Sequence, residues 1–224
     1  MLKVDTHIHT CYSKDSEMSL ESLHDKCLST GLNCVAITDH NTIEGALLLK
    51  SIASFNVIIG EEINTIEGEI TGLFLKERIP PGMTALETVK HIKSQGGLVS
   101  VPHPFDTFRS SVIVLYALYE ILPYVDIIEG FNARNTFQSS NNKADNLAKE
   151  NNILTSAVSD SHTLYEIGRT FMKMPEFDGT PQGFLNSLNS RVIFANKITP
   201  FIHVLTTITK TKKKFINQLM NFKN

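Results

Sequence analysis

Tryptophan is absent from this 224-residue chain, and aromatic residues together make up only 8% of it. Few aromatic residues flank the polar motifs, so base-stacking platforms for single-stranded nucleic acid are not evident. Cysteine is scarce: Cys11, Cys27 and Cys34 form an odd set with no C-x-x-C pair. That argues against a disulfide framework and favours a reducing, cytoplasmic setting. No apolar run is long enough to cross a bilayer, and no basic and apolar leader opens the chain, so no stable membrane insertion is expected. The glycine fingerprint of dinucleotide-binding folds and the phosphate-binding loop pattern are both missing, which weakens a nucleotide-binding Rossmann reading. Neither sign of charge dominates: 21 Lys and Arg face 23 Asp and Glu, for a net charge of −2 with His neutral. This balance predicts neither a nucleic-acid coat nor an acidic tail.

Hydrophobic residues form 42% of the chain, enough for a sizeable core. Apolar strand-type runs alternate with helical patterns throughout. Strands are expected at 2–5, 34–38, 57–63, 98–102, 125–130, 153–159 and 191–195, with 70–75 pairing back on 57–63 after a turn at Glu67 and Gly68. Helices are expected at 19–31, 42–54, 84–95, 111–122, 141–150 and 180–188. Gly31 marks a stop, Thr42 an N-cap, and Thr84 with Glu87 a capping box ahead of Gly96 and Gly97. A last helical stretch begins near Pro200 and extends toward Phe222. The domain reading is therefore one α/β unit over 1–199, with 200–224 a C-terminal helix docked on it. Lys210 and Lys212, Lys213 and Lys214 make that helix basic, which suits a membrane or nucleic-acid surface, though docking by one face is favoured. Strand-then-helix order argues for parallel βαβ units, about seven of them, in a small barrel or an open doubly wound sheet.

Five of the eight histidines lie at or just past expected strand ends: His7, His9, His40, His103 and His162. Asp39, Glu62 and Asp160 share that placement, which is where parallel α/β proteins build their sites. In Asp5-Thr6-His7-Ile8-His9 the period of two puts Asp5, His7 and His9 on one side. Two imidazoles can then share one ion, with Asp5 orienting a ligand from behind. Any one His is more often a hydrogen-bonded core or surface residue, and H-x-H alone is a weak signal. Burying all these groups together is a different matter, because it costs several kcal/mol each unless cations compensate. His24, His91 and His203 fall within helices and read as structural or solvent-facing.

These segments resemble the PHP family (polymerase and histidinol phosphatase). Val4-Asp5-Thr6-His7-Ile8-His9-Thr10-Cys11-Tyr12-Ser13-Lys14-Asp15-Ser16 is similar to its first motif, and Thr38-Asp39-His40-Asn41 to its second. Gly60-Glu61-Glu62-Ile63 resembles the segment with the bridging carboxylate, Pro102-His103-Pro104-Phe105 the P-H-P-F segment, and Ser159-Asp160-Ser161-His162 the closing motif. The resemblance implies an α/β fold, a distorted (β/α)7 TIM-like barrel with a metal site at the C-terminal strand ends, and two or three divalent ions. It implies that His7, His9, Glu62 and Asp160 hold one ion. Glu62 would bridge to a second with His103, and Asp15, His40 and His162 would complete a third or shared site. Two departures stand out. Lys14 follows Ser13 where many relatives carry Asp, leaving Asp15 one position later. Glu69 follows Gly68 where many relatives carry His, so Glu69 either replaces that ligand or is a solvated turn carboxylate.

Mixed nitrogen and oxygen donors suit Zn, Mn or Fe. Such ions lower the pKa of a water toward neutrality and neutralise charge on a phosphoryl group under in-line attack. Asp39, Glu62 and His103 are the expected catalytic residues, with Asp39 or a metal-bound water as general acid. Arg109 and Arg134 suit a phosphate as cationic forks, with Asn132 beside them and Arg169 a further candidate. The leading expectation is a phosphatase or phosphodiesterase acting on a small phosphorylated metabolite, or in a close variant on a nucleotide or nucleic-acid end. An amidohydrolase-like C–N hydrolase also fits H-x-H, but the P-H-P-F segment and the lack of a metal-bridging Lys oppose it. A silent metal module should have lost ligands, and this chain keeps nearly all of them. Substrate, metal identity and oligomeric state stay open.

Overall fold

The first strand, β1 (Leu2–Ile8), is buried along nearly its whole length because neighbours cover both its faces. It pairs in parallel with β2 (Cys34–Ile37), which pairs in parallel with β3 (Asn56–Thr65). The chain then reverses into β4 (Gly68–Leu73), antiparallel to β3 and to β5 (Leu98–Val101). Parallel pairing resumes through β6 (Ile127–Asn132) and β7 (Leu154–Val158). Two further strands, β8 (Phe171–Met174) and β9 (Val192–Phe194), join antiparallel on the other side of β1. The computed structural model describes residues 1–198 and 202–221, so Pro200 and Phe222, the expected limits of the last helix, lie outside the described residues.

Strands β1 to β7 curl into a nearly closed barrel. A parallel bridge joins Ile8 to Ser161, where the His9 N–H donates to the Ser161 carbonyl at 2.9 Å. Helices α1 (Leu20–Thr30), α2 (Glu44–Ile52), α3 (Ala85–Ser94), α4 (Leu115–Ile121), α5 (Gln138–Glu150), α6 (Pro181–Leu188) and α7 (Ile202–Asn221) accompany the strands. Val4, Ala36, Ile58, Leu73, Leu98, Ile127 and Ala157 belong to one cluster that draws on all seven barrel strands and is therefore its interior. Phe184 of α6 packs into the same cluster, plugging the barrel opposite the histidine-bearing strand ends.

Several elements differ from expectation for identifiable reasons. The return of β4 on β3 is as expected, but it leaves β4 antiparallel to β5 as well, where a parallel unit was expected. Helix α4 starts at Leu115 rather than residue 111, because Ser111 and Val114 instead bond the β3–β4 turn through Glu69 N and Glu67 O, each at 2.8 Å. Thr42 is not the N-cap of α2; Ile43 is, although the Thr42 hydroxyl accepts from Glu44 N at 3.2 Å. The capping box at Thr84 and Glu87 is present.

The turn into β4 carries a strict requirement. Gly68 has φ +128°, and a Cβ there would lie 2.3 Å from Ile113 Cα. Gly31, with φ +70° at the end of α1, faces open space. Gly68→Ala is expected to cost about 3 kcal/mol or more, since backbone must move as well as strain. Gly31→Ala should cost about 1–2 kcal/mol, from strain alone. Urea denaturation of the two variants checks this difference, and equal costs would contradict it.

Candidate metal centre

The site begins with an irregularity in β1. Val4 packs in the barrel interior, whereas Ile8 packs with Leu23, Val35 and Leu49 beneath α1 and α2. Strict alternation would put both on one face. The register shift between Asp5 and Ile8 changes the face and turns His7 and His9 inward, the re-aiming that strand bulges provide. Asp5 therefore does not back these imidazoles. Its carboxylate accepts from the Ser159 hydroxyl at 2.5 Å and the Ser159 N–H at 3.1 Å, tying β1 to β7.

All eight residues expected as ligands come together at this rim. His7 Nε2 lies 2.9 Å from His9 Nε2. Glu62 reaches four imidazoles: His7 at 3.5 Å, His9 at 3.4 Å, His40 at 3.1 Å and His103 at 3.1 Å. Asp160 Oδ1 stands 3.7 Å from His7 and 3.6 Å from His9, and Asp15 stands 3.2 Å from His40 and 3.5 Å from His162. Because β4 runs against its neighbours, its first residues reach the same rim. Glu69 is buried there, 3.6 Å from His40 and 3.8 Å from His103, so it is not a solvated turn carboxylate. Three groups of donors lie within 4.8 Å of one another: His7, His9 and Glu62; His9, Asp15, His40 and His162; and His40, Glu62 and Glu69. Asn41, His103 and Asp160 sit at φ 58°, 31° and 54°, left-handed positions that cost non-glycine residues about 1–3 kcal/mol and collect at functional sites.

Surrounding groups fix how the ligands face. The His7 Nδ1–H donates to Glu129 at 2.6 Å, which directs Nε2 into the cluster. Glu129 also accepts from the His103 N–H at 3.0 Å and the Asn132 amide at 2.8 Å. The Ser13 hydroxyl donates to Asp39 at 2.7 Å and so accepts from His9 Nδ1–H at 3.0 Å. His162 Nδ1 lies 2.8 Å from both the Asp160 carbonyl, which can only accept, and Arg134 Nη1, which can only donate. The tautomer bonding the carbonyl is the one that leaves Nε2 open toward Asp15. Such outer contacts set ligand orientation and basicity. Glu129→Gln is accordingly expected to weaken divalent-ion binding about 10–100-fold. Titration with Mn or Zn measures it, and an unchanged affinity would count against the role.

Charge in the cluster is arranged around a need for cations. Burial pulls the His7 pKa down, but Glu129, Asp160 and Glu62 outweigh it and hold the imidazole well above its ordinary value. His40 is likewise buried yet raised to about 9, by Glu62 and Asp15. Burial and neighbouring His162 push His9 down to about 3. Burial opposes ionisation of Glu62 and Asp160, yet both stay well below the carboxylate range, Glu62 through His7 and His40, Asp160 through Arg109 and His7. The cluster thus holds protons where it could hold metal, and ligation there would displace them.

A cleft of about 420 Å³ opens over the cluster, bounded by Arg109 and Arg134, by Lys14, and by Thr206, Thr207 and Lys210 of α7. Arg109 donates to Asp160 at 2.5 Å, and Arg134 pairs with Glu166 at 3.0 Å. From α7, the Lys213 ammonium donates to the carbonyls of Cys11, Ser13 and Ser16 at 2.8, 2.8 and 2.6 Å, pinning the loop that carries Asp15.

Three expected site residues are placed otherwise. Asp39 is not turned toward the cluster: both its oxygens are taken by the Thr10 N–H, the Thr10 hydroxyl and Ser13 at 2.6 to 2.7 Å, which suits a positioning group rather than a general acid. Asn132 is buried under the ligands, bonding Glu129 and Asp160, and does not line the cleft. Arg169 lies over the Tyr165 ring at 3.7 Å, away from the cleft. The sequence reading missed Glu129 and Ser13. A buried acid inside Ile127-Ile128-Glu129-Gly130 was the available signal for the first.

The family model described as PHP domain matches residues 5–212. An uncharacterized protein of Methanocaldococcus jannaschii is 34% identical over 197 residues, covering 84% of this chain and 79% of that protein. Among solved structures, a two-domain protein of Bacteroides vulgatus containing a predicted PHP-like metal-dependent phosphoesterase superposes with TM-score 0.69 at 16% identity. That match covers 87% of this chain, which spans 65% of the two-domain protein. PsfC from Pseudomonas syringae superposes with TM-score 0.67 at 18% identity, over 94% of this chain and 98% of its own. With its strand-end histidines and carboxylates gathered at one rim and its motifs matched almost end to end, this chain belongs to the PHP domain family.

Proposed function

We propose that this protein hydrolyses phosphate esters with the help of two or three divalent ions of the Zn, Mn or Fe class. The observation that carries this reading is the meeting of His7, His9, Asp15, His40, Glu62, Glu69 and His162 in groups tight enough to share ions. Asp15 Oδ1, His40 Nδ1 and Asp160 Oδ1 are buried with no hydrogen-bond partner among the described residues, as donors awaiting a cation would be. His7, His9 and Glu62, with Asp160 beside them, would hold one ion. His9, Asp15, His40 and His162 would hold another, and His40, Glu62 and Glu69, with His103 adjoining, a third.

Ions bound there would supply a water acidic enough to ionise near neutral pH and positive charge for the phosphoryl oxygens. The chain's own residues do the rest. Arg109, held by Asp106 and Asp160, and Arg134, held by Glu166, present rigid guanidinium groups at the cleft wall. Lys14 and Lys210 add positive potential at its mouth and draw a dianionic ester inward. With Asp39 turned away, water in the cleft protonates the departing alkoxide. The three unpaired cysteines fit a cytoplasmic setting. The working unit comprises the barrel and α7, whose Thr206, Thr207 and Lys210 complete the cleft.

The deciding experiment strips the protein of metal, reloads it with Mn, Zn or Fe, and measures phosphate or nucleotide release from monoesters, diesters and short oligonucleotides. Hydrolysis that depends on the added ion is the expected result. No release with any of the three overturns the reading.

A further inference from the structure

The barrel carries a second cavity, at the end away from the metal centre. It measures about 940 Å³, against about 420 Å³ for the cleft, and none of the proposed metal ligands lines it. Its walls come from the start of β3, at Asn56 to Ile59, and from the residues just past β4, Phe74 and Leu75. Those are the strand ends opposite Glu62 and Glu69. The inner wall is apolar, built from Phe55, Ile59, Phe74, Leu75 and Phe177. Phe74 and Phe177 pack edge-on against Phe184, the plug of the barrel, with centroids 5.5 and 5.4 Å away and planes at 62° and 81°. Phe74 sits at φ 60°, a left-handed position that strains any residue but glycine. Glycine would make that turn freely, yet the chain holds a phenyl ring there, half-buried and lining the cavity.

The mouth of this cavity is set with hydrogen-bond donors. Lys50, in the last turn of α2, and Lys76 are exposed, and neither side chain forms a hydrogen bond or ion pair among the described residues. The Gln95 side-chain oxygen accepts from the N–H groups of Lys76 and Glu77 at 2.9 and 3.0 Å, which leaves its amide nitrogen to donate. The one acid on the lining, Asp178, has Oδ1 engaged by the N–H and hydroxyl of Thr180 at 3.0 and 2.6 Å. We propose that this cavity is a second binding site, for a molecule with an apolar chain and one anionic head, of the medium-chain carboxylate type. The chain lies against the phenyl and aliphatic wall, and the head meets Lys50, Lys76 and the Gln95 amide. The phenyl rings stand at steep angles and offer no pair of parallel faces, so they suit a flexible chain better than a flat ring. The volume lies within the range of about 300–1,000 Å³ typical of small-ligand sites. Because no metal ligand takes part, the proposal is independent of the phosphoesterase reading and survives its failure.

The test is calorimetric titration of the full chain with decanoate, decanol and acetate, each kept below the concentration at which it self-associates. Decanoate is expected to bind one-to-one and about tenfold more tightly than decanol, the low end of what charged hydrogen bonds provide, because both lysines are exposed. Acetate, a head without a chain, should not bind measurably. The double variant Lys50→Gln, Lys76→Gln changes only exposed side chains, so it should fold normally, bring decanoate down to the level of decanol and leave decanol unchanged. A decanoate analogue with a nitroxide on its chain locates the other half of the site. It should broaden the methyl signals of Ile59 and Leu75 and spare those of Ile113, which lies against Gly68 at the metal end. Equal affinities for decanoate and decanol, no binding of either, or an unchanged preference in the double variant would each overturn the site. So would uptake beyond one molecule per chain with broadening spread over the whole surface, the mark of detergent-like adsorption only.

Discussion

Glu62→Gln is expected to lower kcat/KM by at least about a thousandfold for any phosphate ester the protein hydrolyses, while the barrel stays folded. The magnitude follows from position. Glu62 places one oxygen 3.1 Å from His103 and 3.5 Å from His7, and the other 3.4 Å from His9 and 3.1 Å from His40. All four of those imidazoles belong to the proposed ligand set. The amide keeps the shape but removes the charge, and it aims two N–H groups at a centre where His7 and His40 carry raised pKa values and cations are wanted. Metal analysis of the purified variant should show fewer bound ions than the parent, with an unchanged far-ultraviolet circular dichroism spectrum. A variant that kept its ions and stayed within tenfold of parental activity would remove the basis of the proposed chemistry.

Reloading metal-stripped protein should raise its thermal midpoint by roughly 8–16 °C. An ion present at a thousand times its dissociation constant stabilises the folded state by about 4 kcal/mol, and each kcal/mol shifts the midpoint of a domain this size by about 2–4 °C. The effect should also depend on pH in a defined direction. His40 in the stripped protein titrates at about 9, above its unfolded value of 6.5. A raised imidazole pKa contributes stability that is complete below 6.5 and disappears as the pH climbs through 9. With metal bound, the ligand imidazoles are already neutral and that loss is removed. The gap between loaded and stripped midpoints should therefore widen from pH 6.5 to 9 in scanning calorimetry. A constant gap would argue that the ions do not displace the His40 proton, and no gap that the cluster holds no ion of consequence.

How much of this could be read from the chain depended on whether a feature was local. The histidines and acids follow apolar strand runs directly, so their arrival at one rim was legible once the strands were placed. The capping box at Thr84 and the stop at Gly31 were legible because each is a few residues long and chemically explicit. The hairpin of β4 on β3 was legible too, from the turn at Glu67 and Gly68. The antiparallel pairing of β4 with β5 was not, because nothing local marks which strand lies beyond a hairpin. Strand β8 escaped notice because Phe171-Met172-Lys173-Met174 is four residues long and owes its place to pairing with β1, far away in the chain. The role of Asp39 was misread for a related reason. Strand-end position says that a carboxylate is near a site but not which way it points, and Thr10 and Ser13 claim this one. Asn132 was misplaced in the same manner, since Glu129 and Asp160 draw its amide downward.

The hold of Lys213 on the loop at Cys11, Ser13 and Ser16 spans 200 residues of sequence between Ser13 and the lysine. Translation proceeds from the other end, so a ribosome delivers Asp15 long before the lysine that steadies its loop. Until α7 is made, the loop that carries Asp15 lacks the three ammonium contacts that steady it in the folded chain. The proposed metal centre thus draws on segments 200 residues apart, and α7 must fold down across the rim before that loop is fixed.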